Sequence, residues 1–285
     1  MKIGIVGPKK MAITWEQQLR YIAEVKEVII ARDFKTLKQI DACLVLGEAT
    51  PTTDSSKQLF EALKRGYHTL WVAPLPTNPE EIRKWYHASE ESGVIVMFSM
   101  WAHYSPATQW MFNQIFPPRK IHIHREWPGP QHTPDPHTLY RIFLEEISLC
   151  LEWTRSRPVR IDGDHLFYPE TNTVPPVLQQ LLLQFGNGTS ASIFLNPYGL
   201  ENRHSRFVMS DKMAAVCQIN EHIVKKWLLS DDTLQTPEVI RFDYKDPARH
   251  LLYHFIRAVR TGEQPAFGLF ELNQLATLIQ QFPET

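Results

Sequence analysis

The chain opens Met1-Lys2-Ile3-Gly4-Ile5-Val6-Gly7-Pro8-Lys9-Lys10-Met11-Ala12. Lys2 to Val6 is a short apolar run that breaks at Gly7, and Met11, Trp15, Leu19 and Ile22 then recur at helical spacing. A strand that breaks at glycine and runs into a helix delivers a phosphate-binding turn, because the helix start presents free backbone N–H groups and the positive end of its dipole. Only Gly7 of the three glycines expected in such a turn is present, with Lys9 and Ala12 at the other two positions. Lys9 adds a side chain where backbone normally approaches a pyrophosphate, and Pro8 removes an amide donor. Lys9 and Lys10 are read either as charges for phosphate or as solvated residues of a helix start. The stretch therefore announces a fold more clearly than a cofactor.

Glu27 to Ala31 reads as a second strand, ending at Ala31-Arg32-Asp33 where a dinucleotide-binding unit meets the adenosine ribose. A small residue followed by arginine suits a 2′-phosphate, so Ala31 and Arg32 favour NADP over NAD; an ordinary solvated arginine is the other reading. A short helix is expected over Lys35 to Ile40, then a buried strand over Asp41 to Gly47. The end of that strand, Gly47 and Glu48 to Asp54, should face a cofactor. Ser55 to Gly66 is an amphipathic helix with Leu59, Ala62 and Leu63 inward, and Thr69 to Val72 a fourth strand ended by Ala73, Pro74 and Pro76. Asn78 caps a helix opened by Pro79, and Gly93 to Phe98 is a fifth strand before another helix to about Phe116. Strands alternating with helices predict an α/β protein whose N-terminal domain is a Rossmann-type, doubly wound parallel sheet.

Pro117-Pro118 marks the expected boundary, giving domains 1–117 and 118–285, with the last helices free to pack back on the first. Beyond it strands are read over Lys120 to Glu126, Val159 to Phe167, Leu178 to Phe185, Ser190 to Leu195, Arg206 to Ser210, Ala214 to Ile219 and Ile223 to Leu229. Gly186-Asn187-Gly188 marks a hairpin, and helices are read over Leu139 to Trp153, Pro247 to Arg260 and Leu269 to Gln281. The second domain is thus α/β with a large, mostly antiparallel open sheet.

At 285 residues and 43% hydrophobic the chain suffices for two packed domains. Thirty basic against thirty-one acidic residues, with no run of five like charges, argue against nucleic acid or a membrane as partner and for a small-molecule ligand. Cys43, Cys150 and Cys217 lie far apart in apolar runs, as buried thiols of a reducing compartment do. No charged leader and no apolar stretch near the roughly 20 residues of a membrane span are present, so the expected location is the cytoplasm.

The N-terminal loop, Gly66-Tyr67-His68-Thr69-Leu70-Trp71-Val72-Ala73-Pro74-Leu75, the pair Ser105-Pro106 and the tail Phe255 to Pro265 together resemble the glucose-fructose oxidoreductase/inositol dehydrogenase family over nearly the whole chain. The resemblance implies NAD or NADP, a sugar or polyol substrate, and a homodimer or homotetramer formed through the open sheet. It also implies a lysine in a Glu-Lys-Pro motif ending the fourth strand, where this chain has Val72-Ala73-Pro74, and a helical histidine and aspartate, where it has Glu146 and Leu149. Alanine has neither charge nor proton to offer. Two hypotheses follow, an NAD(P)-dependent oxidoreductase with non-standard catalytic residues acting on a sugar, polyol or imine, or a catalytically inactive relative that binds a ligand or a partner.

The candidates for proton transfer are His103 and Tyr104, just after the fifth strand, and Glu146. Glu145 and Glu146 point about 100° apart on their helix, so only one of them can face a pocket. The cofactor candidates are Gly7, Lys9, Lys10, Met11, Ala31, Arg32, Gly47, Glu48, Ala73 and Pro74. His122 and His124 share a strand face, with His132 and His137 in the loop that follows. No cysteine or carboxylate spacing accompanies them, so no metal site is expected. The serines lack a nucleophile-elbow context, which sets serine hydrolysis aside.

Overall fold

The computed structural model describes residues 1–47, 53–76, 78–132, 134–164, 179–229, 236–243 and 246–281. The chain divides into two compact units, Met1–Tyr104 with Asp246–Gln280, and Ser105–Lys245. In the first, β1 (Lys2–Val6) leads into α1 (Lys9–Leu19), and β2 (Glu27–Ala31) follows. β3 (Ala42–Leu46), α2 (Thr53–Lys64), β4 (His68–Val72), α3 (Pro79–Ser92) and β5 (Val96–Phe98) continue the alternation. The five strands are parallel in the order β2-β1-β3-β4-β5, the doubly wound arrangement. Every residue of β3 is buried, as apolar runs in parallel sheets are. Asn78 accepts from the N–H groups of Glu80 (3.0 Å) and Glu81 (3.4 Å), Pro79 occupies the first turn of α3, and Gly93 ends it at φ 64°.

The helix expected over Lys35 to Ile40 is absent. The chain winds through turns there, with Asp33 Oδ1 accepting from the Lys35 N–H at 2.8 Å. Phe34, Leu37 and Ile40 are buried at every third position, a spacing that mimics a helix. Leu37 and Ile40 fill a gap in β1: a Cβ on Gly4 would stand 2.8 Å from Leu37 Cδ1 and from Ile40 Cδ1.

The second unit begins with α4 (Pro106–Gln114), β6 (Lys120–Pro128) and α5 (Pro136–Thr154), whose start is capped by Asp135. Then come β7 (Pro158–Asp164), β8 (Gln179–Phe185), β9 (Ser190–Gly199), β10 (Arg203–Met209), β11 (Met213–Gln218), β12 (Ile223–Leu228) and β13 (Glu238–Arg241). They form one sheet in the order β13-β12-β11-β10-β6-β9-β8-β7, antiparallel except for β6 beside β9. One face, with Ile123, Ile193, Leu195 and Val208, is buried, and α4 and α5 touch strands of this sheet. On the other face Phe194, Phe207 and Trp227 are partly exposed and Leu182 is exposed. Several strand readings change: β5 starts at Val96 and not at Gly93, which ends α3, and β9 runs on past Leu195 to Gly199. β10 starts at Arg203 and not at Arg206, because its polar residues 203–205 hide the alternation, and the short edge strand β13 carries too weak a pattern to be read in advance. The ends read at Phe167 and Leu178 lie outside the described residues.

α6 (Pro247–Thr261) and α7 (Leu269–Ile279) belong to the first unit. Leu251, Leu252, Phe255 and Ile256 of α6 join Ala12, Trp15 and Leu19 of α1 in one apolar cluster. The division between the units runs between Tyr104 and Ser105, so α4 goes with the second. Among the described residues no helix is long and apolar enough to cross a membrane, and none of their His, Cys, Asp or Glu side chains group in a way that could hold a metal ion.

Candidate functional site

In the first unit, the strand order reverses between β1 and β3, and the C-terminal ends of these strands flank the start of α1. Gly7 has φ 145°, and a Cβ there would lie 2.6 Å from the Leu46 carbonyl oxygen. Gly47 donates its N–H to Val72 O at 3.1 Å, and a Cβ on it would lie 2.5 Å from Ala73 Cβ. The glycines thus let three strand ends converge. Ala73 fills this crest with a methyl group, next to Pro74, whose carbonyl accepts from Trp71 Nε1 at 3.1 Å. α1 has Pro8 as its N-cap, with no side chain closing the helix start, and the first intrahelical bond runs from Ala12 N–H to Pro8 O. Lys9 and Lys10 are exposed in this first turn, Met11 is partly buried, and Ala31 is buried beside an exposed Arg32 at the end of β2. Glu48 lies outside the described residues.

His103 and Tyr104 occupy a 3-10 turn after β5 and are buried. The His103 ring lies 5.3 Å from that of Phe267. The Tyr104 hydroxyl accepts from the Phe267 N–H at 3.3 Å, and its ring lies 5.2 Å from that of His254.

Glu146 sits in the second unit at the centre of a charged cluster. It is 1% exposed, and Arg206 on β10 grips it with both arms of the guanidinium, Nε to Oε2 at 2.8 Å and Nη2 to Oε1 at 2.7 Å. His204, two residues earlier on the same face of β10, places Nε2 2.8 Å from Oε1. Arg206 Nη1 donates to Thr108 Oγ1 of α4 at 3.1 Å. Burial alone would raise the Glu146 carboxyl, but Arg206, and then hydrogen bonds from His204 and Arg206, hold it well below the usual carboxylate range. Burial also lowers His204, to about 4, and outweighs the pull of Glu146. Arg206 already balances the carboxylate, so His204 is a neutral donor to it and not a second cation. The Cys217 thiol, one strand over in register with Arg206, is pushed up to about 11 by burial and takes no part as a thiolate.

No protein-family model matches the sequence, and no curated protein does. Solved structures do match. UDP-N-acetylglucosamine 3-dehydrogenase GnnA from Acidithiobacillus ferrooxidans superposes with TM-score 0.82 over 98% of this chain and 96% of its own, at 16% identity. The dehydrogenase MviM from Clostridium difficile gives 0.79 over 99% and 98%, at 13% identity. An NAD binding oxidoreductase from Klebsiella pneumoniae gives 0.75 over 98% and 95%, at 12% identity. The fold is that of these dehydrogenases. The likeness spans both units, so the N-terminal parallel sheet and the larger C-terminal sheet together make up the dehydrogenase-type α/β architecture.

Within this dehydrogenase-type fold, Gly7, Lys9, Lys10, Met11, Gly47, Ala73 and Pro74 gather at one edge of the first sheet, with Ala31 and Arg32 at the end of the adjacent strand. His103 and Tyr104 pack among aromatic side chains of their own unit. Glu146 meets two residues not singled out beforehand, His204 and Arg206. The available signal was their spacing of two in Arg203-His204-Ser205-Arg206, which places both on one strand face, and it was masked by the polar surroundings.

The cluster should make the protein less stable in acid. His204 binds a proton in the unfolded chain from about 6.5 downward but in the fold only near 4, so stability is fully present above 6.5 and drains away as pH falls towards 4. Glu146, lowered in the fold, adds to the loss below its ordinary range. Urea midpoints at pH 7.5 and pH 5 should differ, and His204→Gln, which keeps a donor for Glu146 without a titrating ring, should narrow the difference.

Proposed function

We propose that this protein is an oxidoreductase that binds a nicotinamide dinucleotide at the edge of its first sheet and acts on a small metabolite such as a sugar, polyol or imine. The uncapped start of α1 beyond Gly7, at the reversal of strand order, is the observation that carries this reading: its amide groups, helix dipole and two exposed lysines suit a diphosphate. Pro8 and Lys9 shift the balance from backbone donors to side-chain charge. The residues fit the group, which when bound supplies a hydride acceptor or donor. Arg32 at the end of β2 suits a 2′-phosphate and favours NADP over NAD. The face of the second sheet that carries the partly exposed Phe194, Phe207 and Trp227 supports assembly as a homodimer or homotetramer through that face.

That two of the similar solved structures are dehydrogenases agrees with this reading. A second reading, a catalytically silent ligand-binding or assembly protein, is favoured by Ala73, whose methyl group stands where the resembled family has its lysine. Titration of NADPH and NADH into the protein, followed by nicotinamide fluorescence, separates the two. Submillimolar binding of either supports the oxidoreductase, and binding of neither leaves the silent reading. Arg32→Ala should remove a preference for NADPH of about tenfold, the worth of one exposed charge-assisted contact to phosphate, while NADH binds as before.

A further inference from the structure

His122, His124 and Glu126 alternate along β6 on the outer face of the second sheet, opposite the side on which Ile121 and Ile123 are buried. β10 and β6 are the fourth and fifth of its eight strands, so this row runs down the middle of the face. Phe207 stands across the ladder from His122 and Phe194 from His124, and the His124 and Phe194 rings lie 5.1 Å apart. His122 Nδ1 is 2.7 Å from Ser192 Oγ, the two imidazole rings are 6.1 Å apart, and His124 Nε2 is 3.4 Å from Glu126 Oε2. The charged groups facing the pair are Lys120 and Glu126 on β6 and Arg203, which stands opposite Glu126 on β10. β9 contributes Ser192, Phe194 and Asn196, none of them titratable. Burial lowers His122 from its ordinary value, and the charges of His124, Lys120 and Arg203 lower it further.

We propose that the outer face of the second sheet joins two copies of this chain and that His122 and His124 release them in acid. The inference rests on the assembly reading above. Eight strands about 4.8 Å apart and about 20 Å long make a face of about 700 Å², near the about 800 Å² per partner that a stable interface buries. The half-buried Phe194, Phe207, Val216 and Trp227 give it apolar contact area. In a two-fold contact each copy presents the same patch, so two faces that cover each other bring their central rows near the axis and strip both of water. Neutral imidazoles tolerate this. Protonated ones do not, because Glu126 is the one carboxylate of the row among the described residues and Arg203 already faces it, so each copy would bury two further cations without counter-charge. Protons therefore bind the separated copies better than the joined ones, and by linkage acid drives separation. Association is full above the ordinary imidazole value of 6.5 and is lost as pH falls below it.

Sedimentation velocity over a concentration series at pH 7.5 and pH 5.5 tests this, with circular dichroism reporting whether the chain stays folded. The native protein should associate at pH 7.5 and about a hundredfold more weakly at pH 5.5, roughly threefold for each of the four histidines in a pair of copies. His122→Asn combined with His124→Gln puts amides near the ring nitrogens without a titrating group, and this variant should associate equally at both pH values. Phe194→Glu, and Leu182→Glu at an exposed position of the same face, should each weaken association at pH 7.5 by about tenfold or more. Native chains joined as tightly in acid, or a double variant that still separates there, overturn the role of the histidines and leave the assembly reading standing. Native chains that stay monomeric throughout, or association that survives both glutamate variants, overturn the surface and the assembly reading with it. Separation seen only together with loss of the folded signal overturns the proposal, because unfolding then accounts for it.

Discussion

Arg206→Met should destabilise the protein by about 3–5 kcal/mol, the cost of leaving one member of a buried ion pair without its partner. Arg206 donates to both oxygens of a carboxylate that is 1% exposed, and methionine offers neither the charge nor any of the hydrogen bonds. His204 alone cannot replace them, because it supplies one donor where Arg206 supplies two. The carboxylate must then take up a proton, so the loss should shrink as pH falls from 7 to 5. The double variant Arg206→Met with Glu146→Leu should recover most of the stability, since an apolar replacement of both partners is often close to neutral. Urea unfolding of the two variants against the native chain measures this. A single variant as stable as the native protein would mean that the pair is not buried as described.

Gly7→Ala should cost about 2–4 kcal/mol, a sum of backbone strain and overpacking. At φ 145° an L side chain is strained, and the new Cβ would meet the Leu46 carbonyl oxygen at 2.6 Å and Leu46 Cβ at 2.7 Å. Neither contact is with the yielding end of a flexible side chain, so the ends of β1 and β3 must part. Gly66→Ala is the control: φ is again positive, at 71°, but nothing lies within 4 Å of the added methyl, and its cost should stay near 1 kcal/mol. Equal losses in the two variants would remove close packing from the explanation. Because α1 starts just beyond Gly7, the same substitution should weaken any dinucleotide bound there.

Most of the first unit was legible in advance because its signals are local. An apolar run too short for a helix, a glycine at its end, and Asn78-Pro79 before an amphipathic stretch each act within a few residues. The reading failed where a local pattern has two solutions. Phe34, Leu37 and Ile40 recur as a helical face would, but Asp33 opens a turn, and Leu37 and Ile40 lodge against Gly4, a residue more than thirty positions away in sequence. β13 and the start of β10 were missed for the opposite reason, since their residues carry too little apolar alternation to stand out.

The sequence by itself determined the α/β alternation, the break at Gly7 and the alanine at position 73, because strand, turn and helix preferences and residue identity are properties of short stretches. Only the tertiary structure decided what Glu146 does. Its partners, Arg206, His204 and Thr108, come from β10 and α4, brought together by the packing of helices on the sheet. A buried carboxylate takes its character from whatever neutralises it, and chain order does not record that neighbour.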